Sequence, residues 1–294
     1  LLASYTELVD AALDSFLEGY TDPSELYEPV RYITRNGGKR VRPLLVMLAC
    51  KAVGGNAQTS INAAAATELL HAFTLVHDDI MDSSMMRRGK PTVHVTWNVN
   101  TGILAGDVMI GLALRLLEMD AEPSKNAFRI LQTATSGIID VCEGQALDLN
   151  NTGKQSITLD EYFTTIEKKT ARLLEMCVQI GGLIGDADNQ QLTALRSFAR
   201  KLGLAFQMQD DLLDLLGSAS FGKVQGGDLM EGKLTWFVLR LRESEQCHEL
   251  VDRFFAKNGI ETADVQAMVD CMQRSGIIDE GRSLIATFTN EAFA

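Results

Sequence analysis

Apolar residues return at every third or fourth position along almost the whole chain, and nowhere does a sustained apolar–polar alternation appear. That period buries one stripe of a helix and does not suit a half-buried strand, so the chain is expected to be all-α. It predicts helices at about 2–19, 24–35, 39–54, 58–82, 102–118, 124–150, 159–184, 189–216 and 229–242, with shorter ones after residue 246. Turn-forming clusters separate them: Gly54-Gly55-Asn56, Glu122-Pro123-Ser124, Asn150-Asn151-Thr152-Gly153 and Asp186-Ala187-Asp188-Asn189. None is long enough to link two domains, so residues 1–294 are expected to form a single domain, a helical bundle. The run Ala63-Ala64-Ala65-Ala66 suits close helix packing.

Two helices carry the same acidic row near their C-terminal ends, Asp78-Asp79-Ile80-Met81-Asp82 and Asp210-Asp211-Leu212-Leu213-Asp214. In each row the outer carboxylates stand at i and i+4, one turn apart on one face, where they repel unless a cation lies between them. The chain has 21 Asp, and chance alone would place this pattern roughly 0.1 times in such a chain, so two copies are not coincidence. Apolar neighbours, Phe73-Thr74-Leu75-Val76 and Leu204-Ala205-Phe206, set both rows apart from a solvated acidic surface. Helices of a bundle would bring the two ends to one mouth of a central cavity. There the rows would hold hard divalent cations, magnesium with phosphates first among them.

Two basic knots accompany the rows: Gly37-Gly38-Lys39-Arg40-Val41-Arg42-Pro43 and Arg87-Arg88-Gly89-Lys90-Pro91-Thr92. In a chain of net charge −12, such density near helix breaks marks anion sites, since guanidinium forks and compact ammonium groups both suit phosphate oxygens. The same net charge argues against nucleic acid or an anionic membrane as partner. Two stretches, Gly217–Lys223 and Gly227–Lys233, have the spacing of a nucleotide-binding P-loop. Neither has Ser or Thr after the lysine and neither follows a predicted strand, so that function is excluded, although Lys223 and Lys233 could still reach a phosphate. His77 abuts the first row and could orient an aspartate, and His71 lies six residues earlier on the same helix; His94 and His248 are read as structural.

Five widely spaced cysteines, without a Cys-x-x-Cys pair, fit buried free thiols in a reducing cytosol better than a disulfide framework or a zinc site. No apolar run is long enough to span a bilayer, and no signal-peptide pattern is present, so the expected location is cytoplasmic. The chain opens at Leu1 without Met, which is read as a trimmed N-terminus.

Taken in order, these segments resemble the trans-isoprenyl diphosphate synthases, or polyprenyl synthetases: GGKRVRP at 37–43, ELLHAFTLVHDDIMD at 68–82, RRGKPTVH at 87–94, GD at 106–107, EGQALDL at 143–149, EKKT at 167–170, FQMQDDLLD at 206–214, and GK at 222–223 and 232–233. The resemblance implies a large all-α bundle around a deep cavity, usually a homodimer. It implies a prenyltransferase that ionises an allylic diphosphate (dimethylallyl, geranyl or farnesyl), joins the cation to isopentenyl diphosphate and loses a proton. Three magnesium ions would absorb the charge of the departing pyrophosphate, itself the proton acceptor. Asp78 and Asp82 would hold two of them and Asp210 the third, with Asp79, Asp211 and Asp214 in support. Arg87, Lys169, Lys223 and Lys233 would grip the allylic diphosphate; Lys39, Arg42, His71 and Arg88 would grip isopentenyl diphosphate. The oxygens of Thr170 and Gln207 would face the cation.

The family often has a proline shortly after the last lysine motif, where this chain reads Leu234-Thr235-Trp236-Phe237, and some relatives close the isopentenyl site with a basic C-terminal tail, where this one reads Thr289-Asn290-Glu291-Ala292-Phe293-Ala294. By the same resemblance, Phe73 and Thr74, beside the path of a growing chain, would set the floor of the cavity. They point to a twenty-carbon product, geranylgeranyl diphosphate, with farnesyl diphosphate the nearest competitor. A class I terpene cyclase would need no second diphosphate site, and a non-catalytic subunit of a heteromeric synthase would not need both acidic rows. Activity of the lone chain separates these alternatives.

Overall fold

Helices follow one another from Leu2 to Ala292 in a computed structural model that describes residues 2–121, 125–152, 154–217, 225–244 and 246–294. The first three, α1 (Leu2–Glu18), α2 (Ser24–Thr34) and α3 (Val41–Ala52), lie within two residues of the bounds set by the apolar period. A 3-10 turn at Ala57–Ser60 then leads into α4 (Ile61–Met81). A short antiparallel hairpin, β1 (Met86–Arg87) with β2 (Lys90–Pro91), follows, and the period gave no sign of it. Then come α5 (Val93–Thr96), α6 (Val99–Ala121) and α7 (Ala127–Asn151).

The helix expected over 159–184 is interrupted. It consists of α8 (Leu159–Ile166), one π-helical turn at Glu167–Ala171, and α9 (Arg172–Ile184). After α10 (Asn189–Leu216), the helix expected at 229–242 is also divided, into α11 (Gly227–Met230) and α12 (Trp236–Glu243). The cause of the second division is Gly232, which takes φ of 73°, a left-handed turn that ends a helix. The chain finishes with α13 (His248–Lys257), α14 (Thr262–Arg274) and α15 (Ile277–Ala292).

Helix starts follow local chemistry. Thr158 and Glu161 form a reciprocal capping box on α8, with bonds of 2.7 and 3.1 Å between side chain and backbone. Asp188 and Gln191 do the same for α10 at 2.8 and 3.0 Å. Asp120, at the end of α6, accepts from the Ala63 backbone N–H at 2.7 Å and from Asn62 Nδ2 at 2.9 Å. A carboxylate therefore sits at the positive pole of α4, opposite the end that carries the first acidic row.

Two compact units make up the chain: one of the residues up to Ile138 with Leu174–Arg196, the other of Ile139–Leu173 with Ser197–Ala294. In the first, α4 packs on α6 and α3, and all four alanines of 63–66 are fully buried. Their small side chains let neighbouring helices approach closely. In the second, Met208, Leu212 and Leu215 of α10 pack with Trp236 and Phe237 of α12 and with Met268 and Met272 of α14. Trp236 and Phe237, in the run after Lys233 that lacks a proline, are thus core residues.

The cysteine expectation is corrected in part. Cys50 and Cys177 are buried free thiols, but Cys142 is exposed, and Cys247 and Cys271 form a disulfide. The fold brings their Cα atoms to 6.5 Å although 24 residues separate them, a proximity that spacing along the chain does not reveal. No helix among the described residues is long and apolar enough to cross a membrane.

Candidate active site

The first acidic row belongs to the first unit. Most of α4 is buried, yet His71, Thr74, Leu75 and Asp78 are partly exposed and Asp82 fully so. Their spacing places them on one helix face, which is therefore open. Asp79 points elsewhere: it is 1 % exposed, and its Oδ1 accepts from Arg87 Nε at 2.7 Å. Its Oδ2 is buried without a hydrogen-bond partner. Burial raises the Asp79 carboxyl above its ordinary range, and Arg87 opposes that shift. The row also lies at the negative pole of α4, where carboxylates are disfavoured unless a cation joins them.

His77 does not orient an aspartate of the row. Its Nε2 lies 3.1 Å from the Ile103 carbonyl and 3.8 Å from Asp107. Its ring meets Phe73 edge-on, with centroids 5.9 Å apart, and Phe73 is itself buried.

The two basic knots come together in the same unit. Arg88 donates Nη1 to the Gly37 carbonyl and lies over Gly38. Arg40 is fully engaged by Glu68 at 2.6 Å, Asp10 at 2.8 Å and the Thr34 carbonyl at 2.7 Å, which makes it structural. Neither Arg42 nor Arg88 has an ion pair among the described residues, and Arg42 Nε is buried without a partner. His71 Nδ1 is likewise buried and unpartnered. Burial and the charges of Arg42, Arg88, Arg87 and Arg40 hold the His71 imidazole well below its ordinary pKa. It is neutral at pH 7, a hydrogen-bonding group beside the guanidinium groups of Arg42 and Arg88. Lys39 is exposed.

The second unit carries the second row. Here too the middle carboxylate is the buried one: Asp211, 1 % exposed, accepts from the Tyr162 hydroxyl at 2.8 Å and from Gln207 Nε2 at 2.9 Å. Burial raises its pKa to about 6 against the pull of Lys233, so near neutral pH it remains an acceptor for both. Asp214 departs from the pattern of the first row. It is buried, and its Oδ2 accepts from the Asp228 backbone N–H at 3.0 Å, which ties α10 to α11. Asp210 is the one exposed carboxylate of this row.

Lys169 and Thr170 lie in the π turn. Glycines on both flanking helices leave room for it: a Cβ on Gly144 of α7 would overlap the Lys169 backbone nitrogen, and one on Gly203 of α10 would overlap Ala171 Cα. Lys169 Nζ meets Asp148 at 2.7 Å. Thr170 donates to Gln207 Oε1 at 2.7 Å, which, with the bond from Nε2 to Asp211, fixes the orientation of the Gln207 amide. Lys233 lies 3.3 Å from Asp228 and 3.8 Å from Asp211. Burial lowers its proton affinity, but Asp228, Asp211 and Asp148 overcome this and hold it well above its ordinary value, so it is charged.

A polyprenyl synthetase family model matches residues 23–272. The chain belongs to the polyprenyl synthetase family. It is 37% identical to the geranylgeranyl diphosphate synthase of Methanosarcina mazei, across 96% of this chain and 86% of that protein. It is 32% identical to the geranylfarnesyl diphosphate synthase of Natronomonas pharaonis, across 96% of this chain and 86% of the relative. The crystal structure of geranylgeranyl pyrophosphate synthetase from Pyrococcus horikoshii Ot3 superimposes with a TM-score of 0.91 at 36% identity, covering 99% of this chain and 89% of that one.

In this polyprenyl synthetase, the sequence-predicted site residues divide between the units. Asp78, Asp82, Arg87, Arg88, Arg42, His71, Lys39, Phe73 and Thr74 are in the first; Lys169, Thr170, Gln207, Asp210 and Lys233 are in the second. Lys223 lies outside the described residues. Tyr162, a lone helical tyrosine, carried no signal along the chain. Asp148 did carry a signal, as part of the EGQALDL segment, but without an assigned role. Among the described residues no three carboxylate, imidazole or thiol groups form a ready metal cage. The donors that are accessible, Asp78, Asp82 and Asp210, are all hard oxygens at helix negative poles. That set fits magnesium, which takes few protein ligands and completes its octahedron with water and phosphate oxygens.

Proposed function

We propose that the protein condenses isopentenyl diphosphate with allylic diphosphates and releases geranylgeranyl diphosphate. One observation carries the mechanism: in each acidic row the middle carboxylate is buried and held by the protein's own donors, while accessible carboxylates stand beside it. The accessible set, Asp78, Asp82 and Asp210, would hold three magnesium ions, which supply Lewis-acid stabilisation to the departing pyrophosphate. Arg87, Lys169, Lys223 and Lys233 add fixed positive charge to the same group. Lys39, Arg42, Arg88 and neutral His71 hold the diphosphate of isopentenyl diphosphate, a role supported by the two unpartnered buried nitrogens there. Thr170 and Gln207 offer oxygen dipoles to the allylic cation without a nucleophile that would trap it. The released pyrophosphate takes the final proton.

A single polyprenyl synthetase domain over residues 1–294 is part of this proposal; the unbroken family match from 23 to 272 supports it. We further infer a homodimer, because α7 leaves Phe128, Ile139 and Leu149 exposed at 79%, 58% and 44%. Light scattering in solution tests that state.

Purified protein given magnesium, isopentenyl diphosphate and dimethylallyl diphosphate is expected to yield twenty-carbon prenyl alcohols after phosphatase treatment. A dominant fifteen- or twenty-five-carbon product overturns the chain length and spares the chemistry. Turnover in excess chelator, or no turnover by the lone chain, overturns the proposal.

A further inference from the structure

Asp148 has no place in the proposed chemistry, yet its carboxylate makes the 2.7 Å contact to Lys169 Nζ. Two features of α7 make that contact specific. Gly144 and Asp148 are four residues apart and so share one helix face. On that face Gly144 receives the Lys169 backbone nitrogen, where any Cβ would overlap it, and one turn later Asp148 meets the ammonium group of the same residue. Both ends of a long, flexible side chain are therefore fixed by one helix.

The backbone that carries this carboxylate is held in helix: the Asp148 carbonyl accepts from the Thr152 backbone N–H and hydroxyl, each at 3.1 Å. Asp148 also shares a crevice with Tyr162 and Lys233, and it is one of three carboxylates that keep Lys233 charged. An ammonium group carries three N–H donors, so contact with one carboxylate does not exhaust it. A free lysine stem would have to be ordered anew for each substrate; one already held against Asp148 would not.

We propose that Asp148 is a positioning residue that aims Lys169 at the allylic diphosphate. The inference rests on the reading of Lys169 as a ligand of that diphosphate. Steady-state kinetics on full-length protein test it in a double-mutant cycle with Asp148→Asn and Lys169→Gln. Asp148→Asn is expected to lower kcat/KM for the allylic substrate about tenfold and to leave KM for isopentenyl diphosphate unchanged. In the Lys169→Gln background the same substitution is expected to cause no further loss.

An equal loss in both backgrounds, or a parallel rise in KM for isopentenyl diphosphate, overturns the proposal and leaves the role of Lys169 standing. No effect of Lys169→Gln on the allylic substrate would remove the role of Lys169 itself, and the proposal with it. Should Asp148→Asn fold poorly, Asp148→Glu keeps the charge and shifts it by one methylene. The expected result is again a selective loss for the allylic substrate, and wild-type kinetics would overturn the proposal.

Discussion

Arg87 donates its Nε–H to Asp79 Oδ1 at 2.7 Å, so the middle carboxylate of the first row already has a cation of its own. Asp78→Asn is therefore expected to lower kcat by about 10²–10³ with little change in melting temperature. Asp79→Asn is expected to act through Arg87, raising KM for the allylic diphosphate about tenfold. Magnesium titrations of both variants check the division: the magnesium requirement shifts upward for Asp78→Asn far more than for Asp79→Asn.

In the second row the burden is distributed differently. Asp210 is exposed, whereas Asp214 accepts from the Asp228 backbone. Asp210→Asn is expected to abolish most turnover at full stability. Asp214→Ala leaves the partly buried Asp228 N–H without its acceptor and is expected to cost about 1 kcal/mol, measured by urea unfolding.

His71 is neutral in the folded chain because burial and four arginines disfavour its charged form. Unfolding releases it to its ordinary value of 6.5. Its contribution is complete above that pH and declines as pH falls, because the unfolded state then takes up a proton that the folded state refuses. Wild-type stability is expected to drop between pH 7 and 5 more steeply than that of His71→Gln. Parallel slopes would count against this.

Thr74 is on the open stripe of α4 with Asp78, one turn deeper, while Phe73 packs against His77. Thr74→Phe is expected to stop elongation early and shift the product toward fifteen carbons. Phe73→Ala is expected to enlarge the cavity and give longer products. Chromatography of the dephosphorylated prenols measures both, and unchanged length in either removes that residue from the floor.

The disulfide between Cys247 and Cys271 closes a loop of 24 residues. Closure of that length stabilises by about 3 kcal/mol. Thermal unfolding of Cys271→Ser, compared with wild type under oxidising and reducing conditions, reads the difference. A reductant effect of equal size in the variant would place it elsewhere.

Long amphipathic helices such as α10 were legible because one period persists for 28 residues between clear caps. The acidic rows were legible because i, i+4 geometry follows from the helix itself. What escaped depends on tertiary contact. The π turn at 167–171 arises where Gly144 and Gly203 admit its backbone, and neither glycine announces that partner along the chain. Tyr162 reaches Asp211 across 49 residues. The Cys247–Cys271 pair needs the turn between α13 and α14. Asp214 looked like a twin of Asp82, and only burial and the Asp228 backbone distinguish them.

A π turn holds one residue more than an α-helix would use over the same span. Rewinding this segment into ordinary α-helix with every residue kept would rotate what precedes it by about 100°. The Tyr162 hydroxyl would then swing off Asp211 while Ala171 kept its seat on Gly203. The extra residue in this turn is thus a dimension of the active site, as binding as the identity of any side chain in it.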